Sequence, residues 1–219
     1  MNTARTGSKR AGILVAVGTV VILLLTVLYV LGLTYKPAYG SSVNVNKYVK
    51  LSTVSGQPHA TLALNIVQQV GTGPHADWLG YQTPDGKSPG TIFHVPAHGL
   101  VTIIIHNYDS QTALRNPFFT QVQGTVGGVE YVNGTPLQVM DPTVTSHTFT
   151  IPDLGVTVPM RGIASTAKPG SFETMKFTFR TQGAGVFRWQ CIVPCGSGLY
   201  GFSGPMQEVG YMDGIISVG

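Results

Sequence analysis

The segment Trp189–Gly214, WQCIVPCGSGLYGFSGPMQEVGYMDG, places Cys191 and Cys195 in a C-x3-C spacing, follows them with Met206 and Met212, and contains no histidine. Thiolates and thioethers are soft ligands that favour copper, and imidazole commonly completes such a set. In an oxidising compartment the same two cysteines form a disulfide as readily as a metal site. The spacing therefore admits an intact copper site, an altered copper site or a disulfide-pinned loop. In VFRWQC, a period of two puts Phe187, Trp189 and Cys191 on one strand face and Arg188 and Gln190 on the other. Cys191 is thus expected to point toward a core or a buried site, and the Ile-Val-Pro turn can return Cys195 to the same place. SHTFTI likewise sets His147, Phe149 and Ile151 on one face, where an imidazole needs a hydrogen-bond partner. By itself such a residue reads as a satisfied core histidine. The other imidazoles near strands, His94, His98 and His106, read as surface or core fillers.

The sequence has no G-x-S-x-G, H-E-x-x-H or paired-carboxylate constellation, and its six histidines form no H-x-H pair. These absences argue against an independent enzyme. Asp141, Asp153 and Glu130 read as turn or edge residues.

The elements that must position these groups are short strands. Charged residues make up 10% of the 219, while glycine (28) and proline (14) are frequent, which favours many strands joined by turns over long amphipathic helices. LVTIIIHN (100–107), SHTFTI (146–151), ETMKFTFRT (173–181), VFRWQC (186–191) and MDGIISV (212–218) each carry a strand pattern. Asn133-Gly134 is a two-residue hairpin signal, and TLALNIVQQV (61–70) fits either a first strand or a short amphipathic piece. GTGPHADWLGYQTPDGKSPG reads as a long surface excursion. Strands at these spacings predict a β-sandwich.

Before the strands, residues 11–33 are free of charge, and at about 1.5 Å per residue they extend ~34 Å, enough to cross a hydrocarbon core. Arg5, Lys9 and Arg10 precede this run and predict a cytoplasmic N-terminus. A cleaved signal peptide with Ala38-x-Gly40 as its site competes with this reading, but the apolar run exceeds the usual signal core. The organisation expected is a cytoplasmic N-terminus (1–10), a transmembrane anchor (11–34), a polar linker (35–57) and an exoplasmic domain (58–219) in contact with membrane lipid through its anchor. Beyond the first ten residues the charges nearly balance, ten Lys/Arg against nine Asp/Glu, so nothing points to nucleic acid.

The order PAHGLVTIIIHNYD, SHTFTIPDLGVTVP, GVFRWQCIVPC and GYMDGIISV, spanning 91–219, resembles the cupredoxin family. Within it the closest likeness is to the exoplasmic copper domain of subunit II of haem-copper (cytochrome c) oxidases. The resemblance implies an all-β, Greek-key cupredoxin-like sandwich behind a membrane anchor, with copper as cofactor; subunit II usually has two transmembrane helices, whereas this chain has one. It implies His147, Cys191 and Cys195 as ligands, the Val193 main-chain carbonyl as another, and the Met212 thioether, for which the sequence offers Met206 as an alternative. The family's binuclear pattern is C-x3-C-x3-H-x2-M. Here Leu199 and Val209 stand where its histidine is sought, and seventeen positions instead of seven separate Cys195 from Met212. A second imidazole would have to come from His94, His98 or His106.

The implied function is a membrane-anchored, copper-binding one-electron carrier, or a subunit II-like component of a respiratory chain, with a protein redox partner or an oxidase complex. Two alternatives stand beside it. One is a metal-free structural or docking subunit with a Cys191–Cys195 disulfide; the other is a copper-delivery protein that binds cuprous ion transiently. Tyr200, Phe202 and Tyr211 would form a partner-docking patch or cap one end of the sandwich.

Overall fold

The structure, a computed structural model, describes residues 4–34, 45–87, 90–196 and 204–219. Leu199, Tyr200 and Phe202 lie outside the described residues. The chain divides into two units, Met1–Ser42 and Val43–Gly219.

The first unit is built on one helix, α1 (Ala4–Thr34). Its window Leu14–Leu31 has a mean hydropathy of 2.8, and the helix is long and apolar enough to cross a membrane. The two threonine hydroxyls inside that window are satisfied within the helix. The Thr19 and Thr26 hydroxyls donate to the carbonyls of Val15 and Ile22, one turn back, at 2.9 and 2.8 Å.

The second unit contains, among the described residues, the strands β1 (Val49–Val54), β2 (Gln57–Val67), β3 (Gly80–Gln82), β4 (Ile92–Val95), β5 (Leu100–Asn107) and β6 (Glu130–Val132). They continue with β7 (Thr135–Leu137), β8 (Thr145–Ile151), β9 (Val156–Arg161), β10 (Glu173–Arg180), β11 (Gly185–Gln190) and β12 (Asp213–Val218). One sheet runs β1-β2-β5-β10-β6-β7, with β3 added to β2, and the other runs β4-β12-β11-β8-β9. Most pairs are antiparallel, but β2 lies parallel to β5 and β12 parallel to β4, so distant stretches of chain are neighbours in both sheets.

The period-two patterns account for the core. From β2 Ala60, Leu62, Leu64 and Ile66 face inward, from β5 Val101, Ile103 and Ile105, and from β10 Met175, Phe177 and Phe179. They meet Phe149, Trp189, Ile216 and Val218 of the second sheet in one apolar cluster. Trp189 stacks on Phe149 at 4.5 Å between ring centroids and meets Tyr81 edge-on at 4.8 Å. Its indole N–H donates to the Thr91 carbonyl at 3.1 Å, so this large ring is buried with its one donor satisfied. Each such side chain stabilises the fold by roughly 1.5–3 kcal/mol through burial alone.

The mostly β, two-sheet sandwich with one apolar N-terminal helix is the architecture the sequence leads one to expect. The TLALNIV part of TLALNIVQQV resolves as strand, its alternating residues buried in β2, which ends at Val67. Asn133 and Gly134 both have positive φ, 49° and 85°, and close the β6–β7 hairpin as a primed turn. Within 35–57, read as a linker, the chain is already strand from Val49 and pairs along β2 from Val49↔Leu62 to Val54↔Gln57. The reason is positional. β1 is an edge strand with five of its six residues exposed, so it lacks the alternation that marks a half-buried strand.

Candidate metal centre

Three donor residues, His147, Cys191 and Cys195, converge at one end of the sandwich, and their ligand atoms all lie within 4.8 Å of one another. All three are buried. Cys191 stands just past the end of β11, where its main-chain N–H donates to the Met212 carbonyl at 2.8 Å. Cys195 returns after Ile-Val-Pro, bringing the two sulfurs to 3.1 Å as free thiols. Between them the Val193 carbonyl lies 3.4 Å from the Cys191 sulfur and 2.8 Å from that of Cys195.

His147 reaches this loop because β8 is irregular there. Thr145 pairs with Arg161 but His147 pairs with Met160, a bulge that re-aims the following side chain. Its Nδ1 lies 3.2 Å from the Cys195 sulfur and 4.0 Å from that of Cys191. Its Nε2 faces the Asp109 carboxylate at 2.8 Å. The imidazole is therefore held at both nitrogens, with Nδ1 directed at the sulfurs.

Asp109 is in turn fixed from below. Its N–H donates to the Asn107 side-chain oxygen at 2.9 Å, and its Oδ1 accepts from Ser110 N–H at 2.8 Å. The Asn107 amide donates to Ser146 Oγ and to the Arg161 carbonyl, both at 2.8 Å, tying the end of β5 to the β8 bulge. Such outer partners fix the orientation of a ligating histidine. Asp109 was not among the residues singled out from the sequence. Its signal is the N-x-D-S pattern at the end of β5, where Asn107 and Asp109 make consecutive side chain-to-backbone bonds.

The charges are distributed by these contacts. Burial opposes ionisation of Asp109, yet the bond from His147 holds its carboxyl below the usual range. Burial likewise disfavours imidazolium at His147, but Asp109 and Cys191 outweigh it and raise the group to about 9. Burial works against a thiolate at Cys191 as well, but hydrogen bonds from Cys195 and His147 bring it well below an ordinary thiol. Cys195 is pushed up by burial and by the neighbouring Cys191 charge. Three main-chain and side-chain donors, Thr148 N–H (3.4 Å) among them, thus support a negative Cys191 sulfur.

Of the two methionines, Met206 brings its thioether sulfur to 3.2 Å from the Cys195 N–H. Met212 is fully buried, and its main chain holds the loop: its N–H donates to the Pro205 carbonyl and its carbonyl accepts from Cys191. The candidate second imidazoles are not brought here. His94 is exposed on β4, His98 is exposed with a left-handed φ of 51°, and His106 packs on Phe172 at 4.7 Å. Glu130, read as a turn or edge residue, is fully buried on β6, because the inward register of Val132 places it on the core face two residues earlier. Tyr211 is buried and stacks edge-on with Trp78 and His75 at 5.0 and 5.9 Å, accepting the His75 N–H.

A cleft of about 350 Å³ opens beside the centre, with Cys195, His147, Asp109, Asp77 and Trp78 among its walls. The Cys-x3-Cys loop between the last two strands and the histidine on β8 thus give this two-sheet β-sandwich a potential metal site.

The sequence matches no protein-family model and no curated protein. Among solved structures, similarity extends to a haem-copper terminal oxidase dimer (15% identity, 97% of this chain and 99% of that chain, TM-score 0.34). It extends also to rusticyanin from Thiobacillus ferrooxidans (15% identity, 82% and 95%, TM-score 0.34). A multicopper oxidase is similar over 74% of this chain and 44% of its own, at 14% identity and a TM-score of 0.36. At such scores the fold rests on the strand order of this chain, not on the superpositions.

Proposed function

We propose that the sandwich is a copper-binding one-electron carrier, anchored by α1 with its C-terminal domain exoplasmic, and serving as a subunit II-like component of a respiratory chain. The observation that carries this reading is the buried convergence of one imidazole nitrogen and two free thiol sulfurs within 4.8 Å. The donor set fits copper: two soft sulfurs, an imidazole, and a thioether and a carbonyl at hand. His147 through Nδ1 and the sulfurs of Cys191 and Cys195 would hold the metal, with the Val193 carbonyl and the thioether of Met206 or Met212 completing the set. Bound copper would supply one-electron exchange between its cuprous and cupric states. The chain's own part is to keep the ligands still. Asp109 orients the imidazole, Thr148 N–H supports the Cys191 sulfur, and the core beneath Trp189 excludes water. A rigid β-scaffold of this kind limits rearrangement between oxidation states.

The test is metal content and spectrum. Copper-loaded protein is expected to carry copper with a strong thiolate-to-copper visible band, and His147→Ala to abolish the band. No copper after loading, with both thiols oxidised, would sink this reading in favour of a disulfide-pinned structural module.

A further inference from the structure

The cleft beside the centre treats the two thiols unequally. Its walls include Cys195 and His147 but not Cys191, which lies behind Cys195, beneath the Thr148 N–H and the Val193 carbonyl, and is fully buried. Asp109 forms part of the inner wall and Asp77, which is exposed, part of the outer one, while no lysine or arginine appears among the described lining residues. Asp109 is paired with His147, so the exposed Asp77 carboxylate is the charge that draws cations to the mouth of the cleft.

Resting on the copper reading above, we propose that this cleft is the loading port of the centre, through which a cuprous ion carried by a small thiol is taken first by Cys195 and then shared with Cys191. The transfer is ligand exchange without oxidation or reduction. The Cys195 S–H proton is lost to water, a sulfur–copper bond forms, and a bond from copper to the carrier sulfur breaks. The released carrier thiolate takes up a proton from water. Cys191 then forms the second sulfur–copper bond, releasing its S–H proton to water, and the remaining carrier thiolate leaves and takes up a proton from water. Asp77 raises the local concentration of cationic copper species and lies outside the ligand set. Gln69 is also exposed on the cleft wall, where a larger side chain would narrow the opening.

Two measurements on the full chain in detergent micelles test the port. In the first, reduced metal-free protein is exposed briefly to iodoacetamide, and the two cysteines are quantified by tandem mass spectrometry. Cys195 is expected to be captured about tenfold faster than Cys191, access outweighing the lower acidity of its thiol. Capture of Cys191 first, or of both together, overturns the port whether or not copper binds.

In the second, a cuprous–cysteamine complex, cationic through its ammonium groups, is mixed with protein and the thiolate-to-copper ultraviolet absorbance is followed in time. Asp77→Lys is expected to slow loading about threefold or more at low salt, the effect fading as salt screens it. Gln69→Trp is expected to slow loading at every salt concentration, and Asp153→Lys, which is not part of the cleft, to leave it unchanged. Final copper content should be the same in all. Equal rates with full copper content overturn the port alone, whereas an unaltered protein that takes up no copper overturns the copper reading and the port with it.

Discussion

At the scale of single residues, the centre depends on a carboxylate that touches no sulfur. Asp109 accepts from His147 Nε2 at 2.8 Å, which leaves Nδ1 as the nitrogen that faces the thiols. Its replacement acts on affinity through orientation, not through a lost ligand. Asp109→Ala is expected to weaken copper binding by about 10–100-fold, while the visible band persists at a shifted position. Asp109→Asn, which can still accept a hydrogen bond, is expected to recover part of the loss. Chelator competition measures the affinity and absorption spectroscopy the band; an unchanged affinity in the alanine variant would remove Asp109 from the site.

At the scale of elements, the candidate donor residues are held by places where regular strand geometry is interrupted. The β8 bulge aims His147, and the turn after β11 returns Cys195 toward Cys191. By contrast, the β6–β7 hairpin lies on the other sheet and carries none of the donor atoms. Its turn requires a left-handed backbone at Gly134 (φ 85°), and a side chain there would meet no atom within 4 Å. The cost of Gly134→Val is therefore conformational and not steric, about 1–3 kcal/mol. Denaturant unfolding should show that loss while copper content and spectrum remain as in the unaltered protein.

At the scale of the whole molecule, two properties follow from how the chain is divided and what its core contains. Val43–Gly219 forms a unit with its own apolar cluster. Removal of residues 1–42 is expected to leave a domain that folds, binds copper and stays in the soluble fraction, whereas the full chain sediments with membranes. The core also encloses Glu130, whose two carboxylate oxygens have no hydrogen-bond partner among the described residues. Burial raises its carboxyl well above the ordinary glutamate value, so the folded state holds the proton more tightly than the unfolded chain does. This group's favourable contribution is complete below the ordinary carboxylate range and is lost as pH rises toward the raised value. Glu130→Gln should flatten that loss, and the variant is expected to melt at a higher temperature than the unaltered protein at neutral and alkaline pH. Thermal melts across pH check it; parallel profiles for the two proteins would show that Glu130 is not buried as an acid.

Sequence alone determined the local features. Alternation placed Trp189 and Cys191 on one face, Asn133-Gly134 marked its turn, and a charge-free run marked the helix, because each depends on residues a few positions apart. Edge strand β1 escaped this reading, since a strand with one neighbour need not alternate. The tertiary structure decided the rest. Asp109, His147, Cys191 and Cys195 come from different parts of the chain and meet only because β11 lies beside β8 and Asn107 binds the end of β5 to the bulge. Glu130 shows the same limit in reverse: the backbone register turned a polar residue inward against its own preference. No periodicity encodes such meetings, because they are fixed by long-range strand pairing and by the few hydrogen bonds that lock it.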